Sequence, residues 1–527
     1  MNKKKLFIIV GGLCLAAAIG LFVVKAQYES KVRAEIENVM ANLPSPLTAK
    51  ADSIDVSFFN KSVSMTNLKG TYTFTQTQPG KEESLPIEYT IARVHAAGVN
   101  VDGFQPGAGL VKLMDTLEFT DTRLTSPLVQ ATIEDYRVQG ISGDYPLIET
   151  EITKALPALM AANARPDFPA NDEEVKTLMA GLASFIKAYE TVRIESASIK
   201  NYVYSIVVEG KKFNVVMGSM EGKEYSLRKM GPFAVKDVTA EVDGAPVLAM
   251  ESFSMEEMVL PSFAEFFTAL GENPDPSPML IQSLFKGQPF AMKNLRIKNL
   301  NVRHPMAKDR TIFSLGDSDF SYVAETAHTM DFSLKDLNID KAVLEDEADL
   351  PEEALATLPE TLSFEAAVQQ VLTPKAPGAY DIDAKRIFFK GAGLGEATLS
   401  LAANDVNSMA LMMGMPSKAA LKSFSASLTD AGFSTVAFAA DSAYSERSAD
   451  QARAETVADM RRSLERETSP IGKEMLSALI QFTEKAGGTL TIAVQPAEPL
   501  TFDKLMAASE SEPAALGFSV NVTNGQQ

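Results

Sequence analysis

Apolar residues recur along this chain with two periods, and the switching between them outlines the elements. Val32, Ile36, Val39, Met40 and Leu43 keep helical spacing, which predicts an amphipathic helix over 29–43 that stops before Pro44. After Pro46 the period becomes two. Ile54, Val56 and Phe58 alternate with polar residues, Val63 and Met65 follow Asn60-Lys61, and Tyr72 and Phe74 continue the pattern, so short antiparallel strands joined by tight turns are predicted. Helical spacing returns over 146–163, where Pro157 should kink the helix, and over 172–189. In the latter, Val175, Leu178, Leu182, Phe185, Ile186 and Tyr189 trace one face and Asp172 is the expected cap. Strands resume from Val192 to about Met250, with Tyr202, Tyr204, Ile206 and Val208 on one face and Gly210-Lys211 as a turn. The order then repeats: helices near 256–286, strands near 290–340, an acidic helical stretch near 350–371, strands near 378–440, helices near 449–486, and strands to the end.

Strand and helical blocks therefore alternate at intervals of roughly 90 to 110 residues. A short unit also recurs, as Lys236-Asp-Val-Thr-Ala-Glu241, Lys298-Asn-Leu-Asn-Val-Arg303 and Lys335-Asp-Leu-Asn-Ile-Asp340. The expected fold class is α+β: one N-terminal transmembrane helix, then an elongated, mainly antiparallel β body with interspersed helical blocks. The expected divisions are 1–27 (cytoplasmic tip and anchor), 28–190 (N-terminal helix, β block and helical hairpin), 191–371 (central β/helical region) and 372–527 (C-terminal β/helical region).

The anchor rests on Leu6 to Val24, an uncharged run about 28 Å long as a helix, enough to span a bilayer. Lys3, Lys4 and Lys5 precede it and should stay on the cytoplasmic side, which places the body beyond the bacterial inner membrane, in the periplasm. A cleaved signal peptide is the competing reading, with sites at Ala16-Ala17-Ala18 or Val24-Lys25-Ala26. Cys14 lies inside this run, so the exported body has no thiol and no disulfide to staple it.

Charge narrows the partners. The chain carries 49 Lys+Arg against 68 Asp+Glu, and setting aside Lys3, Lys4, Lys5 and Lys25 leaves 45 against 68, a body of −23. Such a body repels nucleic-acid phosphates and anionic lipid surfaces alike, so nucleic acid is excluded as a partner and lipid contact must run through apolar grooves or be tethered.

Chemistry is sparse. His95, His304 and His328 are isolated, with no spacing suited to a zinc site. Gly316-Asp317-Ser318 resembles the Gly-Asp-Ser of one esterase family, but no histidine follows His328, and the pair reads as a hairpin turn. Gly391-Ala-Gly-Leu-Gly395 leads into another alternating segment rather than a helix, so it is a turn and no phosphate loop. The run Glu345, Asp346, Glu347, Asp349, Glu352 and Glu353 lacks calcium-loop spacing and reads as a solvated helix start. Met409, Met412, Met413 and Met415 read as adaptable packing rather than a copper site. No catalytic, metal or cofactor residue is assigned, and no cofactor is expected.

The lysine-rich start, the apolar run and the segment Ala49-Lys-Ala-Asp-Ser-Ile-Asp-Val-Ser-Phe-Phe-Asn-Lys-Ser-Val-Ser-Met-Thr-Asn-Leu-Lys-Gly70 resemble the opening of AsmA-like bacterial envelope proteins. The strand-rich Gly487-Gly-Thr-Leu-Thr-Ile-Ala-Val-Gln-Pro496 is similar to the ends of related uncharacterised single-pass proteins. The resemblance implies a periplasmic β-groove that handles lipid or supports outer-membrane assembly, and it transfers no functional residue. The expectation is a non-enzymatic, membrane-anchored envelope protein, with an anchored interaction scaffold and a periplasmic hydrolase as the alternatives. Its partners would be the membrane, through Leu6 to Val24, and lipid or envelope proteins.

Overall fold

A computed structural model describes residues 29–43, 47–78, 81–105, 107–164, 171–272, 290–304, 310–347, 351–376, 379–407, 419–445, 447–501, 504 and 513–523. The chain groups into two compact units, 1–246 with 252–290 and 247–251 with 291–527. The architecture is a large antiparallel β-sheet, 55% strand and 28% helix, which replaces the expected α+β body behind a membrane-crossing helix. Among the described residues no helix is long and apolar enough to cross a membrane, and Leu6 to Val24, with Cys14, lie outside them.

In the first unit, helix α1 (Glu29–Ala41) is followed by β1 (Ser53–Ser57), β2 (Ser62–Gln78), β3 (Lys81–Ala97), β4 (Val111–Thr125) and β5 (Val129–Gly143). Two helices, α2 (Tyr145–Ala164) and α3 (Asp172–Glu190), then lead to β6 (Arg193–Val208), β7 (Lys211–Tyr225), β8 (Lys229–Met230), β9 (Phe233–Val242), β10 (Ala245–Met255), β11 (Glu257–Val259) and α4 (Phe263–Glu272). Strands β1 to β7 pair in chain order, and β9 joins β7. Val32, Ile36 and Met40 of α1 are buried with Ile54, Val63, Met65, Leu68, Val94, Leu117, Phe119 and Val138. Helix α2 runs through Pro157. The cap of α3 is Asn171, whose side chain accepts from the Glu174 N–H at 3.0 Å, not Asp172.

These strands are long, not the short ones predicted, and the reason is visible across the sheet. Met65, Val94, Phe119, Tyr136, Ile199, Met220 and Val235 form one cross-strand row. The next row on the same side is Leu68, Ile91, Thr122, Ile133, Tyr202, Met217 and Val238. Each strand spends one residue more than simple alternation between the two rows. On alternate strands that line passes through Asn67, Asp121, Asn201 and Asp237, all in the left-handed region at φ 48°, 49°, 48° and 55°. Asn and Asp tolerate this conformation better than other side-chain-bearing residues, and it kinks the strand. Because all seven strands take the extra residue in one line, the register survives, and the apolar residues regain the same face beyond it.

Gly218 lies opposite Asp237, where an added Cβ would stand 3.0 Å from that residue's Cβ. A second such line passes Asp115, Gly140 (φ 62°), Glu195 and Glu224 (φ 54°). A Cβ on Gly140 would collide with the Glu195 side chain at 2.1 Å. Lys112 bridges Asp115 and Glu195 at 2.9 and 3.4 Å along that line.

The second unit contains β12 (Phe290–Arg303), β13 (Thr311–Ala324), β14 (His328–Asp340), α5 (Lys341–Glu347), α6 (Glu352–Thr357), β15 (Thr361–Ala376), β16 (Ala379–Gly391), β17 (Gly395–Asn407) and β18 (Ala420–Asp430). It closes with α7 (Phe433–Ser445), α8 (Ala449–Arg466), α9 (Pro470–Glu484), β19 (Thr489–Val494), β20 (Leu500–Thr501) and β21 (Phe518–Thr523). Strands β13 to β19 pair in order, and β21 joins β19.

The acidic helical stretch expected over 350–371 is instead α6 followed by β15, and residues 433–440, expected as strand, are helical. The alternation that starts at Leu362 and Phe364 is blurred by Ala366 and Ala367, which carry no strand signature of their own. Left-handed Asn294, Asn299, Asp336 and Asp405 sit inside strands, at φ 49°, 48°, 52° and 49°. Against β15 the β14 register shifts between Leu334 and Leu337, around Asp336.

Replacing Asn201 by Ile forces a β-branched residue into the left-handed region and should lower stability by about 1–2 kcal/mol. Asn201→Gly should lose much less. Urea denaturation followed by circular dichroism checks both, and equal losses would show that the conformation is not the constraint.

Candidate functional site

Alternation in the second unit sends an unbroken apolar row across eight strands. Phe320, Phe332, Val368, Ile387, Leu399, Ala426, Ile492 and Val520 are successive cross-strand partners. The row beside it holds Leu334, Ala366, Phe389, Ala397, Leu428, Leu490 and Val522. Toward the other strand ends come Met330, Gln370, Ala384, Leu401, Phe424, Val494 and Phe518, then His328, Leu372, Ile382, Ala403 and Leu421.

Cover over this face is one-sided. Helices α5 and α6 join β14 to β15, and α7 to α9 join β18 to β19, all at the same strand ends. There Leu355, Leu358 and Leu362 are buried, with Leu344, Phe364, Leu394 and Val436 packed on them. Past that cluster the two central rows are partly exposed, while toward the other strand ends Ala384 and Ala403 are buried. Ile387 is 39% exposed, Phe389 49% and Leu428 37%, although all three belong to the two apolar rows. Phe389 keeps one ring contact, 5.6 Å from Phe364.

The opposite face of the same strands is polar. Arg296 donates to both carboxylate oxygens of Asp319, at 2.8 and 2.6 Å, and the Asn294 N–H donates to Ser321 Oγ at 2.8 Å. A groove of about 480 Å³ lies against Asp319, Ser321, Asp331, Ser333, Arg386 and Phe388. The Arg386 guanidinium rests 4.4 Å from the Phe388 ring centre. At the helical end Arg310 grips Asp340 with two bonds of 2.8 and 2.7 Å, and the Ala342 N–H adds a third at 2.9 Å. Arg310 first, then that N–H, holds the Asp340 carboxyl down to about 2.

The residues weighed from sequence fall in several places. His95 faces Ser64 across β2 and β3, with Ser64 Oγ 2.7 Å from His95 Nδ1. Glu118, the next residue in that row, is held by Arg137 at 2.9 Å. The pair lies in mid-ladder, where the backbone N–H groups serve the sheet and do not form an oxyanion hole. Gly316-Asp317-Ser318 is not the expected hairpin turn but the middle of β13, with Ser318 opposite Leu334. Gly391 to Gly395 forms the expected turn between β16 and β17. His304 ends the β12 segment, its N–H bonded to the Arg310 carbonyl. Met409, Met412, Met413, Met415 and Asp349 lie outside the described residues. Among the described residues no group of His, Cys, Asp or Glu could hold a metal ion. Sequence reasoning expected an apolar groove but did not single out the exposed residues Ile387, Phe389 and Leu428, whose signal was the alternation running through 378–407.

A family model described as "Uncharacterized protein" matches residues 387–524, the stretch from β16 to β21. No curated protein and no solved structure matches the chain.

Asp340 is held below its ordinary value of 3.8, so its contribution is whole above that pH and disappears as pH falls toward 2. Arg310→Gln should therefore cost roughly 1 kcal/mol at neutral pH. The gap from the unmodified chain should close between pH 4 and pH 2 in denaturation series at each pH; a gap independent of pH would contradict the assignment.

Proposed function

We propose that this protein is a non-enzymatic binder of lipid, holding acyl chains on the open apolar face of its second unit. The observation that carries the reading is the exposure of Ile387, Phe389 and Leu428 inside rows that are otherwise apolar from β14 to β21. A contiguous apolar patch of this kind marks a binding surface in soluble domains. The resemblance of residues 49–70 to AsmA-like proteins supports the same reading, since it implies a lipid-handling β-groove. The acidic balance of 49 Lys+Arg to 68 Asp+Glu supports capture of single chains over adsorption to an anionic bilayer.

Magnitudes set the expected strength. A buried methylene contributes about 0.8 kcal/mol, so a chain of about fourteen methylenes lying half-covered on a sheet gains roughly 5–6 kcal/mol. That corresponds to a dissociation constant of roughly 0.1 mM, weak enough for exchange.

Titration with the uncharged fluorescent probe N-phenyl-1-naphthylamine should show saturable binding. The double variant Ile387→Glu/Leu428→Glu, at two partly exposed positions, should weaken it roughly tenfold, because a carboxylate in the row must be desolvated. Thr398→Glu, on the opposite face of the same strands, should stay within about twofold. Loss of binding in all variants, or in none, would refute the assignment of the face.

A further inference from the structure

The end of the apolar face away from the helices is not uniformly apolar. His328 begins β14 directly after the hairpin from β13, and its neighbours in the row are Leu372, Ile382, Ala403 and Leu421. Two tyrosines converge on it. The Tyr322 hydroxyl lies 3.1 Å from His328 Nδ1, with the rings edge to face at 6.2 Å and 82°. Tyr380, from the start of β16, meets the other side of the imidazole at 6.0 Å and 64°.

Only one imidazole nitrogen is used in this contact. Among the described residues, His328 Nε2 and the Tyr380 hydroxyl make no hydrogen bond. Burial, and then the neighbouring Tyr380, raises the Tyr322 hydroxyl above its ordinary value, so the phenol stays protonated and can donate. Polar groups placed at the rim of an apolar surface cost desolvation unless something accepts from them.

We infer that the face holds a single-chain amphiphile in one direction, with a hydrogen-bond-accepting head, a carboxylate or a phosphate monoester, at His328, Tyr322 and Tyr380. The inference rests on the lipid-binding reading of the apolar face. The chain runs along the strands toward α5, α6 and α7, where Leu355, Leu358 and Val436 close the far end. From His328 to Leu337 along β14 the strand rise gives about 30 Å, ample for one extended acyl chain. The reverse direction is disfavoured on two counts: it would put the head among buried leucines and leave His328 Nε2 and the Tyr380 hydroxyl without an acceptor.

The full chain is titrated with N-phenyl-1-naphthylamine, and bound probe is displaced in parallel with palmitate, methyl palmitate and lysophosphatidate. In the double variant Tyr322→Phe/His328→Phe the uncharged probe should bind as before. Palmitate or lysophosphatidate should weaken roughly tenfold, toward the affinity of methyl palmitate, as expected for lost hydrogen bonds to a charged group. Whichever acid binds the unmodified chain more tightly identifies the head as carboxylate or phosphate. Unchanged displacement by both acids overturns the head site while leaving the apolar face intact. Failure of the probe to bind the unmodified chain instead overturns the underlying reading. Should the double variant lose the probe, Tyr380→Phe alone supplies the same comparison. Palmitate carrying a diazirine on its terminal carbon should label α5 to α7 or β15 near Phe364, and labelling near Leu372 overturns the direction.

Discussion

A long antiparallel strand keeps its apolar side chains on one face only while its backbone alternates without error, and long twisted strands seldom manage that unaided. In the first unit the constraint is met by a shared irregularity. Asn67, Asp121, Asn201 and Asp237 turn left-handed in one line, so seven strands kink together and none loses register with its neighbour. An isolated extra residue on one strand would have thrown every later side chain onto the wrong face. Placed on all of them, it bends the sheet and leaves the apolar side intact. The cost of a left-handed Asn or Asp is small beside the loss of an apolar row, which decides why these residue types stand there.

From that sheet the distribution of helices follows. Among the described residues of the second unit, α5 to α9 enter from the same strand ends, while at the opposite ends β13 turns into β14 and β15 into β16, and a 3-10 turn at Pro513–Leu516 precedes β21. Helices so connected bury the near part of the face, around Leu362 and Phe364. The central rows are left half-covered. Water contact at Ile387 and Phe389 is therefore a consequence of connectivity and not of a stray surface residue.

Much of this was legible in the residues, and what was not has identifiable physical causes. Helix α1 and helix α9 were readable because Val32, Ile36 and Met40, or Ile471, Met475, Ala478 and Phe482, hold their helical spacing without interruption. Strand lengths were not. Each left-handed Asn or Asp breaks the period of two at mid-strand, and a break in period reads as a turn; Gly316-Asp317 imitates a hairpin for the same reason. The recurring Lys-Asn/Asp-apolar unit at 236, 298 and 335 was visible as texture, but only the backbone shows that its second residue is the kink. The exposed face was hidden more deeply, since a row such as Phe332, Val368, Ile387 and Leu399 is assembled from strands far apart in sequence. His328 looked isolated for that reason too, its partner Tyr380 lying on another strand.

The two faces of the second unit argue differently about chemistry. Charged groups on the polar face are largely spent on one another, as Arg296 is on Asp319 and Arg310 on Asp340. Such pairs hold strands together. In the first unit Ser64 and His95 lie within hydrogen-bond distance at 2.7 Å, in the middle of the β2–β3 ladder. The apolar rows of the other face are spread across many strands. A surface of that form gains free energy from any chain that covers it and discriminates weakly along its length, so selectivity must come from the few polar groups at its rim.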